Sequence, residues 1–177
     1  MRHFEIRAAV PSDAEVIAAL HVEGWREFRA FVPAAIMAAR DYASRAREWR
    51  QRLEAADPRW WTALAEHDGR PVGFVGVEHL SAPAMGANSE IHNLFVTTEW
   101  RRHGVGRRLL AAAADWIDSV GAEPISLYSF TENSHRKAYT PIGGRIVGER
   151  QSAWDGVVIP ETCYIWPTAA DLIAHTR

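Results

Sequence analysis

Between Glu90 and Phe130 the chain reads as strand, glycine-bearing turn, helix and strand, an order that narrows the fold more than any other stretch. Glu90 to Val96 and Ile125 to Phe130 are short apolar runs of strand length. Gly104 to Val120, between them, carries Val105, Leu109, Leu110, Ala113, Trp116 and Ile117 as one apolar helical stripe. A helix that crosses between two strands of one sheet leaves them parallel, with a right-handed connection. The turn opening that helix, Arg101-Arg102-His103-Gly104-Val105-Gly106, is also the clearest ligand signal in the sequence. The first amides of a helix have no partner within it and carry a partial positive charge, so a pyrophosphate meets several donors there. Gly104 and Gly106 lack a Cβ and let an anion approach the backbone, while Arg101 and Arg102 can add charge-assisted bonds.

The remaining elements surround this unit. Phe4 to Ala8 alternates as a strand, and Pro11-Ser12-Asp13-Ala14-Glu15 starts a helix, with Ser12 as the cap and Glu15 reaching back. Val16, Ile17 and Leu20 form its buried stripe. Pro33 opens a second helix expected to run from Ala34 to Leu53. Strands at Trp60–Glu66 and Pro71–His79 flank His67-Asp68-Gly69-Arg70, where Asp-Gly suits a tight hairpin. Gly73 and Gly76 weaken the second of these strands and mark a bulge or a close backbone approach. A short helix at Asn133–Tyr139 and strands at Arg145–Gly148 and Glu161–Trp166 complete the chain. The sum is an α/β fold with two early helices side by side followed by a mixed sheet. Its 177 residues fit one domain over 1–177.

The net charge of −2 gives no global attraction to nucleic acid or to an anionic membrane, so neither is expected as a partner. Locally, Arg101, Arg102, Arg107 and Arg108 crowd around His103, which points to a small polyanion rather than a long one. No apolar run approaches the roughly 20 residues of a membrane-spanning helix. The residues from Met1 to Glu5 lack a secretory apolar stretch, and Cys163 is the single cysteine. These features are read as a cytoplasmic protein. The histidines show no paired ligand spacing, so no metal is expected.

Two familiar nucleotide motifs are excluded. Leu109 stands where a Rossmann turn needs its third glycine, and no Gly-Lys-Ser/Thr is present for a Walker loop. Arg101-x-x-Gly104-x-Gly106, after Leu94-Phe95-Val96 and before Arg107-Arg108-Leu109-Leu110, instead resembles the acyl-CoA-binding motif of the GNAT superfamily of N-acetyltransferases. Asn133 with Ala138-Tyr139-Thr140-Pro141-Ile142-Gly143-Gly144 is similar to that family's second signature, and Gly24-Trp25-Arg26 with Val32-Pro33 to its first-helix region. The step from Asn133 to Tyr139 is one residue shorter than is usual there, and Pro141 replaces a helix former. The resemblance covers nearly the whole chain. It implies a mixed, V-splayed central sheet flanked by helices, whose strands Glu90–Val96 and Ile125–Phe130 part to admit the pantetheine arm of acetyl-CoA. The implied cofactor contacts are Leu94, Phe95, Val96, Arg101, Arg102, His103, Gly104, Val105, Gly106, Arg107 and Asn133. Homodimers are common in the family, though no feature of this sequence specifies one.

Acetyl transfer to an amine needs a base for the amine proton, donors for the oxyanion and an acid for the departing thiolate. Glu90 is the candidate base; it lies fourteen residues before Gly104, the offset at which the histone acetyltransferase branch carries its glutamate. Strand alternation would put Glu90, His92 and Leu94 on one face, and His92 can serve as base, relay or substrate contact. By the resemblance, Tyr139 is the general acid and a backbone amide of Leu94–Val96 faces the oxyanion. Trp25, Phe28, Phe31, Trp60 and Trp61 fit either an acceptor pocket or the core. The leading expectation is direct transfer to a small-molecule amine in a ternary complex. A protein N-terminus or lysine as acceptor, and a non-catalytic acyl-CoA sensor, stand as the alternatives.

Overall fold

The structure is a computed structural model that describes residues 3–154 and 156–176. Seven strands form one sheet in the order β1-β2-β3-β4-β5-β7-β6. They are β1 (Glu5–Ala8), β2 (Trp60–His67), β3 (Arg70–Ala84), β4 (Ala87–Val96), β5 (Ile125–Phe130), β6 (Arg145–Trp154) and β7 (Val157–Trp166). Every neighbouring pair is antiparallel except β4 and β5. Helices α1 (Ala14–Trp25), α2 (Ala34–Ala39) and α3 (Tyr42–Ala55) precede β2; α4 (Val105–Ser119) links β4 to β5, and α5 (Ala169–Ile173) follows β7.

The two faces of the sheet carry separate cores. Leu109, Leu110, Ala113 and Ile117 of α4 pack with Val75, Val77 and Ile91 on one face. Ile17 and Leu20 of α1 and Trp49 of α3 pack with Leu64, Phe74 and Phe95 on the other. Leu109 and Ile117 are fully buried, and each such side chain contributes about 1.5–3 kcal/mol. A Cβ on Gly73 would sit 2.5 Å from the carbonyl oxygen of Phe95, so that glycine marks a close backbone approach between β3 and β4.

Two features open the sheet at its centre. β4 and β5 pair only at Ser89–Ile125, Glu90–Ser126 and Ile91–Leu127, and beyond Ile91 the strands part. In the same place Gly76 pairs with Asn93 and Val77 with Ile91, which leaves His92 as the extra residue of a β-bulge. The bulge corrects the expected alternation: Ile91 and Leu94 both pack toward α4, whereas Glu90 and His92 face away from that core and bond to each other.

Local chemistry also corrects three boundaries. The helix expected from Ala34 to Leu53 is broken at Arg40, and Asp41 starts α3 by accepting a hydrogen bond from the Ser44 amide at 2.7 Å. Ser12 does not cap. Asp13 accepts from the Val10 amide at 2.8 Å and from Arg7 at 2.7 and 2.9 Å, while Glu15 pairs with Arg50. The last two strands are longer than expected and form a hairpin, with β6 at the sheet edge.

Candidate active site

Where β4 and β5 part, a cavity of about 510 Å³ opens. Glu90 enters it from the last paired turn of β4 and is only 5% exposed. Its Oε1 lies 3.1 Å from His92 Nδ1, and its two oxygens accept from the Arg150 guanidinium at 3.3 and 3.4 Å. Burial alone would raise the Glu90 pKa, but the His92 hydrogen bond, its charge and Arg150 together hold it below the ordinary value, so the group is a carboxylate at neutral pH. His92 is held at both nitrogens, since Nε2 is 2.9 Å from Glu78 Oε2, and its ring stacks on Trp60. Arg150 in turn donates from Nε to Glu161 at 2.6 Å and lies over the Tyr128 ring. Ser152 donates to the same Glu161 oxygen.

Tyr139 reaches the cavity from the other side, just after the 3-10 turn at Ser134–Ala138. Tyr164 and Trp166 pack edge-on against it. Burial, with a smaller contribution from Tyr164, pushes its pKa up to about 12, so the phenol keeps its proton across the physiological range. Asn133 also lines the cavity, but its side chain is engaged: Oδ1 accepts from the His135 amide at 3.0 Å and Nδ2 donates to Ser129 at 3.1 Å.

The turn before α4 fits a phosphate group. Arg102 and Gly104 adopt positive φ values of 59 and 86°, and among the described residues no backbone acceptor takes the amides from Arg102 to Arg107. Such a run of outward donors at a helix start is an anion cradle. A Cβ on Gly106 would meet only Val96 Cγ2, at 3.8 Å, so the packing of the protein itself does not demand glycine there. The cradle is what a side chain would fill. Arg101 is committed elsewhere, with Nε donating to the Val96 carbonyl at 3.0 Å and Nη2 paired with Glu27. Arg102, Gly106, Leu94, Phe95 and Val96 line the cavity beside it. His103, Gly104, Val105 and Arg107 do not: they build the turn, with Val105 buried in the α4 core.

The aromatic candidates divide. Trp25 and Phe28 line the cavity; Trp25 meets Phe130 and Trp154 edge-on and Phe28 meets Phe130, whereas Phe31 packs behind them. Trp61 stacks on Trp116 across the opposite core. Sequence reasoning missed Arg150, Glu161 and Tyr128, which come from β6, β7 and β5 and acquire a shared site only through strand pairing.

The family model for the GNAT acetyltransferases matches residues 19–140, which holds both the cradle and Tyr139. The chain belongs to the GNAT family. As a GNAT acetyltransferase it is an acyltransferase enzyme. It is 23% identical over 169 residues to the uncharacterized N-acetyltransferase YuaI of Bacillus subtilis, covering 94% of this chain and 95% of that one. Among solved structures it resembles a ribosomal-protein-S5-alanine acetyltransferase from Vibrio fischeri, with TM-score 0.71, 17% identity and coverage of 95% and 94%. It also resembles the PaiA N-acetyltransferase of Thermoplasma acidophilum in complex with coenzyme A, with TM-score 0.67, 17% identity and coverage of 90% and 98%. At these identities the agreement is one of fold, and the seven-stranded sheet flanked by helices is the GNAT architecture.

Proposed function

We propose that this GNAT enzyme moves the acetyl group of acetyl-CoA to a primary amine of a small molecule, by direct transfer in a ternary complex. The observation that carries the reading is that a buried carboxylate, Glu90, and a half-buried phenol, Tyr139, line one cavity that also reaches the anion cradle at Gly106. The cradle amides and Arg102 would hold the pyrophosphate, and Leu94 to Val96 would border the pantetheine arm. Acetyl-CoA supplies the activated acyl group, whose C–S bond breaks as the amide N–C bond forms.

Glu90 is the proton acceptor. His92 has both nitrogens occupied by carboxylates, which leaves it no free lone pair for an amine proton. A carboxylate and an alkylammonium differ by roughly 6 pKa units, or about 8 kcal/mol, so Glu90 does not strip a bound ammonium outright. The amine reacts in its neutral form, and Glu90 takes a proton from nitrogen as the bond to carbon forms, when that proton becomes acidic. Tyr139 keeps its proton until the thiolate departs and then delivers it to sulfur. The crowded aromatic wall of Trp25, Phe28, Phe130 and Trp154 supports a small acceptor over a protein chain, which needs an open groove.

The test is calorimetric titration with acetyl-CoA beside ATP and NAD, then thiol release with a panel of amines. Selective acetyl-CoA binding and amine-dependent release are expected. Glu90→Gln should bind acetyl-CoA normally and lose about 10²–10⁴-fold in kcat. Equal binding of all three nucleotides, or full activity in Glu90→Gln, would overturn the reading.

A further inference from the structure

Six arginines but only four glutamates line the cavity. The glutamates are already engaged: Glu27 with Arg101, Glu48 with Arg45, and Glu90 and Glu161 with Arg150. Arg52 stands outside this pairing. Its guanidinium lies 4.0 Å over the Trp60 ring and 5.0 Å from that of Trp49, and among the described residues no carboxylate or carbonyl accepts from it. Glu48 and Glu78, the acids that act on it from a distance, are bonded to Arg45 and His92. One helical turn pair away on α3, Arg45 has a buried Nε with no partner, although its Nη2 pairs with Glu48. An arginine presents five donors, and holding them in a cavity wall without an acceptor is unfavourable. Burial does lower the pKa of Arg52, the direction expected for a cation without a close anion.

We infer that the acceptor amine also bears a carboxylate, and that Arg52, supported by Arg45, receives it. This rests on the reading of the chain as a small-amine acetyltransferase. The planar guanidinium fork matches a carboxylate in bidentate fashion. Position favours the pairing as well. Trp60 touches Arg52 on one side and stacks on His92 at 5.1 Å, and His92 holds Glu90. The anion receptor and the proton acceptor are therefore bridged by two side chains on the wall of one cavity. Trp49 and Phe74 give the same cavity an apolar lining suited to a hydrocarbon side chain.

The test is thiol release from acetyl-CoA with matched pairs: phenylalanine against phenethylamine, leucine against 3-methylbutylamine, and phosphoethanolamine as a phosphate arm. Each amino acid should exceed its decarboxylated partner by tenfold or more in kcat/KM. Arg52→Met should erase that preference, and Arg52→Lys should restore part of it. Because Arg52 packs on two indoles, the unaltered enzyme supplies a second readout: calorimetry should show N-acetylphenylalanine binding at least tenfold tighter than N-acetylphenethylamine. Equal use of both members of each pair, an undiminished preference in Arg52→Met, or a preference for phosphoethanolamine would overturn the carboxylate assignment while leaving amine transfer standing. Thiol release with no amine at all would overturn both.

Discussion

Arg150 grips both oxygens of Glu90, at 3.3 and 3.4 Å, from a strand that lies three positions away in the sheet. The pairing sets the charge of the candidate base. Burial works against the ionised carboxylate, and with Arg150 replaced by Met only His92 opposes it. The Glu90 pKa should then rise, and the acid limb of kcat/KM should move to higher pH. Both proteins are compared with one acceptor, so the ionisation of the amine cancels. An acid limb that stays in place would remove Arg150 from the site. For stability the sign is the usual one for a depressed carboxylate: the Glu90 contribution is present above the ordinary value of 4.5 and is lost as pH falls through its lower folded value.

Tyr139 should remain protonated well above the ordinary tyrosine value of 10.0, because burial raises it to about 12. Its stabilising contribution is complete below 10.0 and disappears as pH rises through the folded value. Tyr139→Phe should lower kcat by about 10²-fold or more with little change in KM for acetyl-CoA. A fall in wild-type kcat near neutral pH that vanishes in Tyr139→Phe would contradict the raised value.

Gly106→Glu separates the cradle from the helix. An acid in the first turn of α4 favours the helix dipole, so the thermal midpoint should hold or rise. The same carboxylate occupies and repels at the anion cradle, so affinity for coenzyme A should fall at least tenfold by calorimetry. Unchanged affinity would show that phosphate binds elsewhere.

Gly73→Ala tests the backbone approach between β3 and β4. The new Cβ would begin 2.5 Å from the Phe95 carbonyl oxygen, closer than contact permits. Overpacking of this kind costs about 1–3 kcal/mol. At roughly 2–4 °C per kcal/mol for a chain of this size, the midpoint should drop by several degrees in a calorimetric scan.

His21 is a half-buried neutral histidine that accepts a hydrogen bond from Trp49 Nε1 at 3.1 Å. Burial first, then the charges of Arg45, Arg52 and Arg40, lower its pKa from 6.5 to about 3. A depressed histidine stabilises the fold above 6.5, and that contribution declines as pH falls from there toward about 3. Melting at stepped pH should show this loss, and His21→Gln should flatten the curve between those limits. Parallel curves would assign the acid sensitivity to other groups.

The pattern of the sequence exposed some of this architecture and concealed the rest for physical reasons. The crossover from β4 through α4 to β5 was legible because the apolar stripe of α4 and the glycine-bearing turn are local signals. Gly73 announced its close approach in the same way. The bulge at His92 left no local signal, since an extra residue is defined only against the partner strand. The break at Arg40 overrode a good helical run because Asp41 offered a cap and the Arg40 guanidinium settled over Trp25 and Trp154. Motif position pointed to Glu90 and Tyr139, and both line the cavity. Arg150, Glu161 and Arg52 were not, because each acquires its meaning from neighbours that are distant in sequence.

The parting of β4 from β5 after three residue pairs has one more consequence. Most proteins keep the unpaired borders of a sheet on the outside, where they must be blunted against sticking to other chains. This one carries such a border beside its central cavity, with the stretch from His92 to Val96 turned toward a strand that has moved away. A seam of that kind gives a slender, amide-bearing guest a strand edge to lie against. The unfinished sheet is a reserved seat, and selection for what may sit there falls to the width of the gap rather than to any one side chain.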